Sequence, residues 1–320
     1  MELPSAGKQS RVLIVEDSQA TSAFRTKPDV VHTMVDRGIA KFTGKATPAE
    51  AWRSLVSTGD VVGIKIYSLP GPNSGTRPSV VAAVVEGLLA AGLPAQNIVV
   101  WDKHAIDLRL AGFYELAERY GVRVASSTDE GYDSKIYYEA SLLGNLLWGD
   151  FEFGQKGPGL GRRSYVSKLL TQQLTKIINV TPLLNHNSAG VSGNLYGLAV
   201  GSVDNVMRFE SDPDRLASAV PEIYALAPLS DHVVLNIVDA LICQYEGGER
   251  GLLHYSVALN QVRFSTDPVA LDVLSMQELD KQRGGSAPRM TKLNMELYSN
   301  AALLELGRNE LKRIQIERLN

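Results

Sequence analysis

Short β-branched runs alternate with segments of helical period along most of this chain. RVLIV at residues 11–15, ended by Glu16-Asp17, predicts a buried strand. In residues 28–44, Val31, Met34, Val35 and Ile39 share one helical face, with Pro28 at the start and Gly44 available as a stop. Thr47-Pro48-Ala49-Glu50 has the form of a capping box with proline at the first helical position, a helix start. VVGIKI at 61–66 predicts a second strand. There follow a loop at 67–77, a helix from Pro78 to about Ala91 closed by Gly92, the strand IVVWD at 98–102, one helix from about Asp107 to Tyr120 closed by Gly121, and the strand VRVAS.

The second half repeats the alternation more loosely. KIINV reads as a strand, and residues 180–205 read as a polar, glycine-rich loop able to grip a ligand. DPDRLASAVPEIYAL reads as a helix with Pro221 inside it, HVVLNIVDALI as a strand, and LLHYSVALNQVRFS as two short strands. Asp267-Pro268 opens a helix, Asp267 being a natural N-cap. Residues 290–318 predict one or two more helices, the last of them, ELKRIQIERL, amphipathic and suited to packing on the body or forming a homo-oligomer. The whole predicts an α/β fold, a mostly parallel sheet flanked by helices. Between residues 131 and 175 the pattern loosens around FGQKGPGLGRR, which reads as a surface lid, a linker or an anion-binding turn. Two lobes, 1–160 and 161–320, with a cleft between them are expected.

Composition narrows the functional classes. With 320 residues, 44% hydrophobic and 21% charged, the chain can bury a large core. A net charge of −3 and scattered cations argue against nucleic acid. The single Cys243 leaves no basis for an intrachain disulfide or an iron–sulfur cluster built within the chain. The apolar run VVAAVVEGLLAAG is cut by Glu86, so no segment spans a membrane, and the four-residue apolar core near the N-terminus is short for a signal peptide. A cytoplasmic location is the expectation.

Ligands of parallel sheets sit at the carboxyl ends of strands. That rule groups Lys65 with the loop SLPGPNSGTRP, Asp102-Lys103-His104, and Asp129-Glu130 at one mouth. His186, flanked by Asn185 and Asn187, is the leading acid/base candidate, with His104 and Lys65 beside it. Arg77, with its bidentate fork, is the candidate clamp for a substrate carboxylate or phosphate, and Asn185, Asn187, Ser192 and Asn194 would supply hydrogen bonds. Asp239, in a nearly continuous apolar strand, and Asp267 join His186 as candidate ligands of a divalent metal. HExxH, GxSxG, Walker and CxxC signatures do not occur.

Four segments together, VGIKIYSLPGPNSGTRPSVVAAVVEGLLAAGLPAQNIVVWDK, NVTPLLNHNSAGVSGNLYGL, VLNIVDALI and FSTDPVALDVL, resemble the family called domain of unknown function 362 over roughly residues 60–285. The resemblance implies a lysine before the motif's histidine and a second lysine in a lysine-asparagine-glycine sequence. Here those places read Leu184-Asn185-His186 and Asn194-Leu195-Tyr196-Gly197. A further similarity, carried by Thr76-Arg77-Pro78, Ala91-Gly92-Leu93-Pro94 and His104, is to nickel-pincer lactate racemases. It implies Arg77 as a carboxylate clamp and His104 as an acid/base group, although Asp102-Lys103-His104-Ala105 replaces the glycine-threonine-histidine-arginine sequence. Two classes follow. One is an oxidoreductase- or isomerase-type enzyme acting on a small anionic substrate, with metal- or cofactor-assisted proton or hydride transfer. The other is a noncatalytic ligand-binding or protein-interaction module, which the missing lysines favour.

Overall fold

The computed structural model of the protein describes residues 9–284 and 292–320, without the side chains of 292–294. The N-terminal segment on which the leader expectation partly rests lies outside the described residues, as do Met290 and Thr291, where the C-terminal helical region was expected to begin. Eight strands run along one mixed sheet: β1 (Ser10–Glu16), β2 (Val62–Ile66), β3 (Ile98–Asp102), β4 (Arg123–Ser126), β5 (Lys176–His186), β6 (Val233–Gln244), β7 (Ser256–Ser265) and β8 (Ile314–Leu319). Their spatial order is β8-β1-β7-β6-β5-β2-β3-β4, and the two-residue strand Gly190–Val191 pairs antiparallel with the end of β5. From β6 through β5, β2 and β3 to β4 every pairing is parallel. β7 runs antiparallel to both β6 and β1, and β8 is parallel to β1.

Alternating side chains on these strands feed two cores, as the period of two requires. Leu13, Val15, Ile64 and Val100 meet one face's helices: α1 (Pro28–Thr43), α2 (Pro78–Ala90), α3 (Ala105–Leu110) and α4 (Phe113–Tyr120). Val12, Ile14, Val99 and Trp101 meet the other face, covered by α5 (Asn194–Ser202), α6 (Pro213–Tyr224), α7 (Pro268–Arg283) and α8 (Lys292–Leu303). The molecule is therefore α/β with helices on both faces of a mostly parallel sheet. Strands from both halves of the chain interleave in it. Strands from either side of residue 160 pair with each other, β2 with β5 and β1 with β7.

Five elements differ from the sequence reading. β5 does not stop at Val180 but continues to His186, because the polar residues of the extension find partners: Thr181 Oγ1 donates to Asn194 Oδ1 at 3.4 Å and Asn185 Oδ1 accepts from Gly248 N at 2.8 Å. Residues 194–202, read as loop, form α5, which is buried on every side and so has no polar face to betray its period. The helix expected over 107–120 is two, broken at Gly112 with φ of 86°. ELKRIQIERL ends in a strand rather than a helix, since β1 offers it an open edge and Glu317 is fixed there by Arg11 at 2.7 Å and Lys41 at 2.9 Å. The segment after Ser256 is one strand, not two. Among the described residues no helix is long and apolar enough to cross a membrane.

Candidate functional site

The carboxyl ends of β2, β3, β4 and β5 open into a cavity of about 640 Å³. Each strand delivers a residue to it just where its hydrogen-bond ladder ends: Tyr67 after β2, Asp102 to His104 at the end of β3, Thr128 beyond β4, and His186 at the end of β5. The turn Gly247–Arg250 after β6 closes one side, and residues 147–150 close another. Helix α5 forms part of the wall through Tyr196, Gly197, Val200 and Gly201. Gly201 is required there, since a Cβ would collide with Lys65 Cε.

Lys65 does not enter the cavity. It is buried beneath the floor, its Nζ 2.8 Å from Asp102 Oδ1 and 2.5 Å from Ile66 O. Asp102 also accepts from Ser68 N at 2.7 Å and Ser68 Oγ at 2.6 Å. Burial alone would raise its pKa, but the Lys65 ammonium and these donors outweigh it and hold the carboxyl below its ordinary range. Arg77 is likewise committed elsewhere. Its Nη1 lies 3.0 Å from Asp239 Oδ1, its Nη2 donates to Asn73 O and Ile242 O, and its backbone N–H donates to Asp239 Oδ2 at 2.9 Å. The ion pair is buried and its guanidinium does not line the cavity.

The two histidines do share the cavity, and their hydrogen bonds assign opposite roles. His186 Nδ1 receives the backbone N–H groups of Ala189 at 2.9 Å and Ser188 at 3.3 Å. A nitrogen that accepts cannot carry the proton, so the neutral ring is protonated at Nε2. Burial pushes the His186 pKa down to about 4, which keeps this ring neutral at pH 7. His104 Nδ1 is 3.0 Å from Thr128 Oγ1, whose only hydrogen goes to Lys103 O at 2.7 Å. The hydroxyl therefore accepts from Nδ1–H, and His104 Nε2 keeps a bare lone pair. Partial burial, then the Lys103 charge, lowers the His104 pKa as well.

The remaining candidates hold the frame. Asn185 Oδ1 accepts from Gly248 N at 2.8 Å and so ties the Gly247–Arg250 turn to β5. Gln244 helps from beneath, its Nε2 donating to the carbonyls of Glu246, Gly248 and Arg250. Asn194, at the start of α5, donates through N and Nδ2 to Asp272 Oδ1 at 2.7 and 2.8 Å and does not line the cavity. Ser192 is fully buried and also outside it, whereas Asn187 lines it. Asp267 caps α7, accepting from Ala270 N at 2.8 Å, and Asp239 belongs to Arg77, so neither stands beside His186. Among the described residues no group of three or more His, Cys, Asp or Glu is arranged to hold a metal ion.

Sequence reasoning passed over Tyr67, Asp107, Trp148, Tyr196, Glu210 and Glu249. Tyr196 Oη donates to Glu210 Oε1 at 2.6 Å, and Tyr67 Oη is hydrogen-bonded to Glu249. Glu249 could have been found: its glycine-rich turn follows a long apolar strand, and the strand-end rule points to it. Tyr196 could not, because its helix is invisible in the pattern.

The family model for DUF362, domain of unknown function, matches residues 62–277. The chain belongs to the DUF362 family. That match starts at β2 and ends inside α7, so it takes in every strand that lines the cavity. A search of curated proteins finds no match. Among solved structures, a Thermotoga maritima protein from a structural genomics consortium is similar at 11% identity and a TM-score of 0.46, covering 84% of this chain; the chain spans 60% of that protein's length.

Proposed function

We propose that this DUF362 member is an enzyme that moves a proton on a small molecule bound in the cavity, an isomerase-type reaction. The observation that carries the reading is the opposite wiring of two imidazoles in one cavity: His104 presents a lone pair at Nε2, and His186 presents a proton at Nε2. His104 would take a proton from the substrate and become imidazolium, with Asp102 and Asp129 close enough to favour that charge. The electron pair left on the substrate needs a hydrogen-bond donor, and neutral His186 supplies one without itself having to be charged. A ring whose Nδ1 already receives N–H donors would have to lose its Nε2 proton to ligate a metal, so the donor role suits His186 better than the ligand role. The two Tyr–carboxylate pairs, Tyr67–Glu249 and Tyr196–Glu210, add further groups able to hold or pass a proton at the wall.

Long-range ¹H–¹⁵N spectra of histidine-labelled protein at pH 7 test the wiring. His104 should appear as the Nδ1–H tautomer and His186 as the Nε2–H tautomer; the reverse assignment removes the basis of the reaction. Thr128→Val should release His104 into a tautomer mixture and leave His186 unchanged. With a turnover assay in hand, His104→Gln should lower kcat by about 10²–10⁴-fold, the usual worth of a general base. The binding-module reading is favoured by the absence of the family's lysines from Leu184-Asn185-His186 and Asn194-Leu195-Tyr196-Gly197. It would gain if His104→Gln left every measured conversion intact.

A further inference from the structure

The cavity has an apolar mouth and an acidic wall. Leu69, Leu147, Trp148 and Met207 all line it, and all four are exposed, Trp148 to 86%. Large exposed apolar side chains gathered at a polar cavity mark a ligand surface rather than chance exposure. Trp148 is braced edge-to-face by Phe153, with centroids 4.8 Å apart, so the indole is held in place instead of folding into the core.

The charges that line the cavity are unequal. Five carboxylates line the cavity (Asp102, Asp107, Asp150, Glu210 and Glu249) against two cations, Lys103 and Arg250. Asp102 is neutralised from below by Lys65. Asp150 is occupied by backbone donors, Asn205 N at 2.7 Å and Leu147 N at 2.6 Å. Glu210 faces Lys103, whose Nζ donates to Val200 O at 3.2 Å. That leaves Asp107 and Glu249. Asp107 has no hydrogen bond or ion pair to its side chain among the described residues, and burial, then the charges of Asp102 and Glu249, push its pKa up to about 6. Glu249 has only the Tyr67 hydroxyl as a hydrogen-bond partner among the described residues. The two cations that would have received an anion, Lys65 and Arg77, are locked in buried pairs.

We infer that the substrate is a small cationic amphiphile, an ammonium-type group on an apolar ring or short chain, with its charge between Asp107 and Glu249 and its apolar part against Leu69, Leu147 and Trp148. This rests on the proposed use of the cavity as a substrate site.

Three probes separate the contributions: 3-phenylpropylamine, the isosteric anion 3-phenylpropionate, and propylamine, which keeps the charge and lacks the ring. Each is titrated into the full chain and read by tryptophan emission. Trp52 and Trp101 are fully buried, so the ligand-sensitive signal is that of Trp148, and Trp148→Phe supplies the blank. Calorimetry on the same titrations gives a second readout. Phenylpropylamine should bind saturably and about tenfold or more tighter than either of the others, a gap of roughly one unit in log Kd. Glu249→Gln and Asp107→Asn should each narrow its advantage over phenylpropionate, and Lys103→Met should widen it. Equal or tighter binding of phenylpropionate, or no saturable binding of the amine, overturns the inference. The histidine spectra are read separately: their failure removes the proton-transfer reading even where the amine binds, and the reverse outcome removes only the substrate class.

Discussion

Lys65 and Asp102 lie 37 positions apart in sequence and form a buried ion pair directly under the cavity floor. Removing one partner of such a pair strands a charge in low dielectric, which costs about 3–5 kcal/mol. Lys65→Met should therefore lower unfolding free energy by that order in urea titrations, and Lys65→Met with Asp102→Asn should recover most of the loss. A double variant as unstable as the single one would mean that Lys65 acts through its packing on Gly201 and Trp101 instead. His186 carries a pH signature of the opposite kind. Its folded pKa of about 4 lies below the unfolded value near 6.5, so its contribution to stability is complete above pH 6.5 and is lost as pH falls toward 4. His186→Gln should flatten the midpoint-versus-pH curve in that window, and an unaltered curve would contradict the burial assigned to this ring. Neither behaviour is readable from VVGIKI or LLNHNSAG alone. A lysine at a strand end and a histidine in a polar run look the same whether they face a ligand, water or a carboxylate supplied by a distant segment.

The start of helix α5 is held by Asp272 from α7. Asp272 accepts from Asn194 N at 2.7 Å and from Leu195 N at 3.0 Å, meeting two of the donors that a helix start leaves open. Gly193 allows this approach, because a Cβ there would strike the same carboxylate. Asp272→Ala should cost about 1–3 kcal/mol through buried amides left without acceptors, and it should disturb Tyr196 and the cavity wall along with stability. Burial drives the Asp272 pKa up to about 7 despite the N–H donors. A carboxyl raised above its unfolded value favours the folded state at low pH, and that contribution fades as pH rises from about 4 to about 7. Guanidinium titrations of the protein and of Asp272→Asn between those pH values should differ in slope; parallel curves would refute the shift. At this scale, elements marked by short β-branched runs, by an apolar helical face or by start and stop residues were legible: β1, β2, β3, α1, α2 and α7 lie within a residue or two of the positions that those signals imply. α5, the continuation of β5, and β8 were not. Their signals depend on neighbours that bury every side of a helix, satisfy asparagines inside a sheet, or offer an edge to pair with.

Across the whole molecule, β5 bridges the two halves of the chain by pairing with β2 on one side and β6 on the other. Residues 9–160 and 161–320 made as separate chains should therefore each fail to unfold cooperatively, and coexpression should restore a single transition. Independent cooperative unfolding of either half would show that the 160/161 division is a true domain boundary. The sequence by itself determined the α/β class, the family and the placing of Asp102, Lys103 and His104 at a strand end, because these follow from local period, turn chemistry and motif order. Only the tertiary structure decided that Lys65 and Arg77 are sealed in ion pairs, that His104 and His186 face one cavity with opposite protons, and that its wall is acidic. The physical reason is that charge neutralisation, tautomer choice and desolvation are properties of groups brought together from remote positions, and no local pattern along the chain encodes which partner arrives.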